Sequence, residues 1–298
     1  MINEIKHKPV MLKESIEFLN LRKGMTIVDA TVGTGGHAIE VLKMISPSGK
    51  LIGIDRDKDS LELAKENLEE YKSQCVFVND NFSNIDKILE KLKIDTIDGA
   101  LLDLGISSFQ LDDYVRGFSF SKEGKLDMRM DRKVNLSAFD LVNNLTQKEI
   151  ASILWNFGEE RYSSRIARAI VENRRFSAIN TTTQLVDLVS RALPHFGKYQ
   201  RIHPATRTFQ ALRIAVNQEL ASLDLFLNKI GKFLKKDARV CIISFHSLED
   251  RIVKKSFRAL SATDQFRLVF KKPLIPNQDE MNDNPRSRSA KFRVLERA

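Results

Sequence analysis

Cysteine is scarce in this sequence: only Cys75 and Cys241 occur among 298 residues, each inside an apolar strand-like run, CVFV and RVCIISF. Two thiols so placed supply no disulfide framework and read as buried thiols of a reducing cytoplasm. No CxxC or HExxH is present, and the five histidines are scattered without ligand spacing, so no protein-held metal is expected. No run approaches about eighteen consecutive apolar residues, and the opening MINEIKHKPV lacks the apolar stretch of a signal peptide. These absences point to a cytoplasmic protein without a membrane anchor. Internal repeats and low-complexity segments are also missing.

What is present is a globular composition, 42% apolar and 29% charged, long enough for one large domain or two modest ones. The net charge of +9 is uneven. Tyr114 to Ala205 holds 15 Lys and Arg against 9 Asp and Glu, and Arg251 to the end holds 12 against 5, which leaves the rest of the chain negative. A basic excess confined to two stretches has the form of a footprint for a polyanion, although a solvated surface gives the same count.

The first third alternates short apolar runs with amphipathic stretches. TIVDAT, KLIGID, QCVFVND and DGALLDL read as strands, and HAIEVLKMI and SLELAKENLEEY have helical spacing. Such repetition predicts a parallel sheet covered on both faces, with ligands beyond the carboxyl ends of its strands. From about residue 114 to 205 helical patterns dominate: LTQKEIASILWNF, SSRIARAIVENRRF, TTTQLVDLVSRAL. One long amphipathic helix is expected from Ala205 to about Leu234, then a strand, ARVCIISF, a helix, LEDRIVKKSFRAL, and two closing strands, FRLVF and AKFRVLER. NQDEMNDNPRSRS reads as loop. The simplest arrangement is one α/β domain, residues 1–113 and 206–298, interrupted by a helical insertion over 114–205.

VDATVGTGGHA places an acidic residue and three glycines between a strand and a helix. Asp55 ends the second strand 22 residues after Gly33, where nucleotide-binding folds put a carboxylate on a ribose. The loop alone is also compatible with an ordinary tight turn or a nicotinamide dehydrogenase. Asp29 argues against a pyrophosphate, because a carboxylate at this strand end suits an ammonium or sulfonium, as in S-adenosylmethionine. Asn79 to Phe82 end the third strand, where a polar group meets an adenine edge and Phe82 packs on the ring, or simply in the core. Asp103 in LLDLGISSFQLDD stands at the fourth strand's tip, either beside a bound methyl group or as a turn cap. An acceptor there would hold the N–H of an exocyclic base amine and stabilise the charge developing on its nitrogen.

The runs HKPVMLKE, VGTGGH, IDRD, LLDLGISS with QLDD, RGFSF with LDMRMD, FGEER, IHPATRTFQALRIAVNQEL, SFHSLEDRIVK and NPRSRSAKFRVLER resemble, in order and spacing, the MraW (RsmH) family. The resemblance implies a small-subunit ribosomal RNA cytidine N4-methyltransferase with a class I, Rossmann-like S-adenosylmethionine-dependent methyltransferase fold and a helical insertion domain. It implies S-adenosylmethionine as cofactor and, as substrate, a cytidine in the decoding region of bacterial 16S rRNA, within the small ribosomal subunit. No membrane partner is implied, and a homodimer is left open. The family's cofactor contacts fall on Gly35, Gly36, His37, Asp55, Phe82, Asp103 and Gln110, with Asp103 also catalytic. Phe109 stands where similar sequences carry proline, a departure that bears on the path of the loop around Gln110.

For holding RNA, the aromatic candidates are Phe109, Phe118 and Phe120, flanked by Arg116, Lys122, Arg129 and Arg132. His203, Arg207 and Arg213 are candidates for a phosphate at a helix start, or for pairing with carboxylates inside the protein. His246 reads either as an orienting group for the acceptor or as a structural histidine, and RSRSAK as a phosphate contact or a solvated turn. A small-molecule or protein methyltransferase, and a ribosome-binding factor without activity, are the rival classes. RNA-independent turnover would mark the first and cofactor binding without turnover the second.

Overall fold

The computed structural model describes residues 8–193 and 203–298. His7 and Ile202, which open two of the quoted runs, lie outside the described residues. The elements begin with α1 (Leu12–Phe18), β1 (Thr26–Asp29), α2 (Gly36–Ile45), β2 (Lys50–Asp55), α3 (Lys58–Asn67), β3 (Cys75–Asn79), α4 (Ile85–Lys91) and β4 (Ile97–Asp103). Helices α5 (Ser108–Asp112), α6 (Ala138–Asn144), α7 (Gln147–Gly158), α8 (Ser163–Arg174), α9 (Thr182–Ala192), α10 (Thr206–Asn217) and α11 (Glu219–Ile230) follow. The chain closes with β5 (Leu234–Ser244), α12 (Ser247–Ser261), β6 (Phe266–Leu268), α13 (Gln278–Asp283) and β7 (Lys291–Arg297).

Two compact units divide these elements: one runs to Gly105 and resumes at Leu220, the other spans Ile106–Glu219. The first unit carries a seven-stranded sheet in the order β3-β2-β1-β4-β5-β7-β6. Strands β1 to β5 run parallel, and β7 lies antiparallel between β5 and β6. Sequence order reverses across the sheet between β1 and β4, the switch point at which a doubly wound, Rossmann-like sheet opens a crevice beyond its carboxyl ends. The strands are apolar at successive positions because both faces are covered. Val28, Ile52, Ala100 and Ile242 face a cluster with Phe226 and Phe257, whereas Ile27, Leu51, Leu101 and Cys241 face Val41, Leu42 and Ile45.

The second unit is helical around its own core, in which Ile150, Leu154, Ile166, Ile170, Leu185, Val189 and Leu212 meet. Ser137, Thr146 and Thr181 start α6, α7 and α9 with reciprocal capping boxes to Asp140, Glu149 and Gln184.

Several expectations need correction. The long helix from Ala205 is two helices, because Gln218 takes a left-handed φ of 50° and ends α10 with its N–H on Ile214 O. The units divide near 105 and 219 rather than at 114 and 205, and α10 packs with the helical unit. A Cβ added at Gly158 would lie 2.6 Å from Arg207 O, so glycine lets α7 and α10 approach this closely. The expected loop at 277–289 holds α13 and a 3-10 turn, since Asn277 accepts the Glu280 N–H and Glu280 in turn accepts the Met11 N–H at 2.6 Å. Both cysteines are free, Cys241 buried but Cys75 only half-buried. No helix among the described residues is long and apolar enough to cross a membrane.

Candidate active site

Strands β1, β2 and β4 each deliver one carboxylate to their carboxyl ends: Asp29, Asp55 and Asp103. After β1 the chain turns through Gly33, at φ 53°, and Gly35, at φ 92°, and Gly35 caps α2. A Cβ at Gly36 would stand 2.7 Å from Pro9 Cγ, so the first helical residue must also be glycine for the N-terminal segment to lie against it. Asp55 fixes this loop from the neighbouring strand. Its Oδ2 accepts the Gly33 N–H at 2.9 Å, and its Oδ1 accepts the Asp57 N–H at 2.8 Å.

Asp103 is positioned by its backbone, whose N–H donates to Thr31 Oγ1 at 2.7 Å. Its Oδ2 lies 3.8 Å from His37 Nδ1, while Oδ1 is enclosed and accepts no hydrogen bond from the described residues. His37 is buried, and its Nε2 is 3.0 Å from Val10 O. Only a protonated Nε2 makes that bond, so Nδ1 carries the lone pair, directed to the Asp103 side. Burial lowers the histidine to about 4, partly opposed by the Val10 bond, and the ring is neutral.

The three carboxyls are held above their ordinary range. Burial raises Asp29 to about 7 against the pull of the Thr31 N–H, with Asp55 adding to the rise. Burial raises Asp55 to about 6, moderated by the N–H groups of Asp57 and Gly33. Asp103 is raised well above the usual value by burial, then by Asp29 and Glu249. The cationic influence on this group is that of Arg56 on Asp55, the smallest of the effects there. Among the described residues, the glycine loop therefore borders a site short of positive charge. A pyrophosphate would meet repulsion, and a ligand bearing cationic groups would supply what is missing.

Phe82 begins a 3-10 turn after β3 and is partly buried, edge to face with Phe226 at 5.8 Å between centroids, so it serves the core as well. Asn79 and Asn81 spend their amides on Asp55 O, Arg56 O and Ser222 Oγ. Gly35, Gly36, His37, Asp55, Phe82 and Asp103 thus all lie on the first unit. Gln110 belongs to the second, where it is buried and closes a capping box with Ser107, accepting the Ser107 N–H at 3.0 Å.

Residues 4–298 match the profile of the MraW methylase family. The chain belongs to that family. It is 46% identical over 308 residues to the ribosomal RNA small subunit methyltransferase H of Halothermothrix orenii, covering 98% of this chain and 99% of that protein. It is 47% identical to the protein of the same name from Clostridium botulinum, covering 98% of each. A solved Streptococcus mutans structure, described as a methyltransferase in complex with SAH, aligns over 98% of this chain and 100% of that one at 13% identity and a TM-score of 0.46. The family match makes the chain a methyltransferase, and its own sheet order is that of the expected Rossmann-like α/β fold.

Within this family member, some residues expected to hold RNA are buried or engaged with other protein groups, whereas Lys122, Arg132, His203 and Arg207 are exposed. Arg116 is buried, its guanidinium donating to Arg129 O and Met130 O at 3.0 Å each and lying over the buried Phe118. Arg129 pairs bidentately with Asp127, and Arg213 with Glu219. Phe120 packs between His203 and Phe209. His246 caps α12 in a box with Glu249, which accepts the Phe245 N–H at 2.8 Å. Sequence reasoning missed Glu249 and Thr31. The spacing of His246 and Glu249 in SFHSLED was the available signal for the first. For Thr31, whose work is a bond across strands, the local sequence carried none.

Proposed function

We propose that this protein transfers a methyl group from S-adenosylmethionine to the exocyclic N4 of a cytidine in the decoding region of bacterial 16S rRNA. The observation that carries this reading is the enclosed, unpartnered Oδ1 of Asp103 within a carboxylate cluster short of cations. The names of the relatives, small-subunit ribosomal RNA methyltransferases, support the RNA substrate. The helical unit, Ile106–Glu219, is read as substrate-recognising.

S-adenosylmethionine supplies a sulfonium-bound methyl and, with its ammonium, the positive charge that the cluster lacks. Asp29 would hold the ammonium side, Asp55 the ribose hydroxyls, and Phe82 a face of the adenine. Gly35 and Gly36 allow the backbone to approach the cofactor, with His37 and Gln110 as further contacts. Asp103 Oδ1 accepts one N4–H of the cytosine amine. That hydrogen bond draws the nitrogen lone pair out of ring conjugation and stabilises the charge that grows on nitrogen as the new N–C bond forms. As the methyl's bond to sulfur breaks and S-adenosylhomocysteine leaves, the surplus proton would pass to Asp103, ionised by the neighbouring sulfonium, with the free Nδ1 of His37 at 3.8 Å from Oδ2.

Small subunits lacking the modification, incubated with the protein and methyl-labelled cofactor, should yield labelled N4-methylcytidine at a single site after digestion to nucleosides. Label on carbon 5, or no label, would refute the assignment.

A further inference from the structure

Some of the expected RNA-holding residues, Arg116, Phe118, Arg129 and Arg213, are buried or paired within the second unit, and that unit's basic excess is concentrated elsewhere. Between Arg161 and Arg175 there are five arginines and one glutamate. Arg174 is structural, donating to Val142 O and Leu145 O and so pinning the end of α8 to the end of α6. The other four, Arg161, Arg165, Arg168 and Arg175, are exposed and have no side-chain hydrogen bond or ion pair among the described residues. Ser163, Ile166, Ala167 and Ile170 form the buried side of α8, and Arg165, Arg168 and Arg175 recur at helical spacing on the opposite side. From Arg165 to Arg175 the stripe runs for about 15 Å.

Directly beyond it stands Phe176, 91% exposed, the most exposed of the protein's large apolar side chains among the described residues. Its backbone is fixed, since its N–H donates to Asn173 O at 3.0 Å and the following Ser177 N–H donates to the same carbonyl. A bare aromatic ring on a held turn, at the end of an uncompensated arginine stripe, combines the two features that bind unpaired nucleotides: a platform for a base and cations for the backbone.

We infer that this face of α8 binds a single-stranded segment of the RNA substrate, with Arg161, Arg165, Arg168 and Arg175 on its phosphates and Phe176 stacked on one base. The assignment rests on the RNA-methyltransferase reading above and names the surface through which that substrate is held. Planar guanidinium groups suit phosphate oxygens, and a phenyl ring stacks without regard to base identity, so the contact anchors rather than selects.

The test is anisotropy with a labelled single-stranded RNA spanning the target cytidine, titrated over a range of salt, beside methyl transfer to the same RNA and to assembled subunits. The double variant Arg165→Ala, Arg168→Ala should bind about tenfold or more weakly and reduce the slope of log K against log salt by about 1.4, two phosphates' worth. Phe176→Ala should lose about tenfold with little change in slope, Phe176→Trp should bind as wild type, and Phe176→Leu should resemble Ala. Cofactor binding, read by calorimetry, should stay unchanged in all of them, which also reports folding. Wild-type affinity and slope in the double variant, or full binding by Phe176→Leu, would overturn the inference. So would weakened binding to assembled subunits with unchanged binding to RNA alone, which would assign the face to a ribosomal protein. If wild-type protein binds RNA through this face but labels no cytidine, the proposed function fails and the surface stands. If it neither binds nor labels RNA, both fail.

Discussion

Lowering the pH should weaken cofactor binding steeply, because the carboxyls proposed to meet the cationic cofactor take up protons in the empty site as pH falls from 8 to 5. Asp29 sits at about 7 and Asp55 at about 6, against an ordinary 3.8. Both hold protons more tightly in the folded chain than in the unfolded one. Their contribution to the stability of the empty protein is therefore fully present below about pH 4 and is lost as pH rises through 6 to 7. For Asp29 the loss is about 4 kcal/mol, three pH units at about 1.4 kcal/mol each. Cofactor binding reverses the balance by placing positive charge beside the ionised carboxylates. Only about one Asp29 in a hundred is ionised near pH 5, so affinity should fall about 100-fold from its value near pH 8, or further if Asp55 must ionise too. Calorimetry in two buffers of different ionisation enthalpy should find about one proton released per cofactor bound between pH 5 and 6, and almost none above pH 8. Asp29→Asn should bind weakly at every pH and lose most of the dependence. Equal affinity near pH 5.5 and pH 8, without proton release and with an intact circular dichroism spectrum, would refute the charge argument.

Other substitutions separate chemistry from architecture. Asp103→Ala should leave the protein folded and cut methyl transfer measured at saturating cofactor by about 100-fold or more, beyond any loss of cofactor affinity, since it removes an acceptor needed as charge develops; near-normal turnover would take Asp103 out of the reaction. Gly36→Ala drives a methyl group to 2.7 Å from Pro9 Cγ, and should cost about 1–3 kcal/mol in denaturant unfolding together with a loss of cofactor affinity. Arg116→Ala should lower stability by about 1–3 kcal/mol, because Arg129 O and Met130 O lose their buried donor, and should leave the salt slope of RNA binding unchanged. A reduced slope with unchanged stability would return Arg116 to the RNA surface.

How far the sequence could be read depended on how local each cause was. The strands were legible because a sheet buried on both faces requires continuous apolar runs, and α7 and α9 showed in the apolar spacing of LTQKEIASILWNF and TTTQLVDLVSRAL, whereas α6, too short to show a period, was missed although Ser137 and Asp140 cap it. The break at Gln218 was not legible. Both α10 and α11 have helical apolar spacing, and the interruption is a single left-handed residue with neither Gly nor Pro to mark it. The carboxylates at the strand ends were found from spacing alone, because a doubly wound sheet sends the end of every parallel strand to the same edge. Which arginines face solvent was hidden, since burial depends on partners far along the chain. Arg116 and Arg165 look alike in sequence, but one donates to carbonyls at Arg129 and Met130 while the other stands free on a helix face.

The glycine loop shows why charge has to be read together with geometry. Its tight turn, left-handed glycines and helix start are the same features that cradle a phosphate elsewhere, and the first turn of α2 leaves its N–H groups directed outward. A loop of this shape favours anions if nothing else stands near it. Here Asp55 already occupies the Gly33 N–H, Asp29 adds a buried carboxyl and Asp103 a half-buried one, so the attraction for an anion is met from within the protein. What remains is a site with backbone close enough to touch a ligand and an electrostatic deficit of opposite sign. On this reading the glycines would set how near the ligand comes, and the three aspartates would favour a cation.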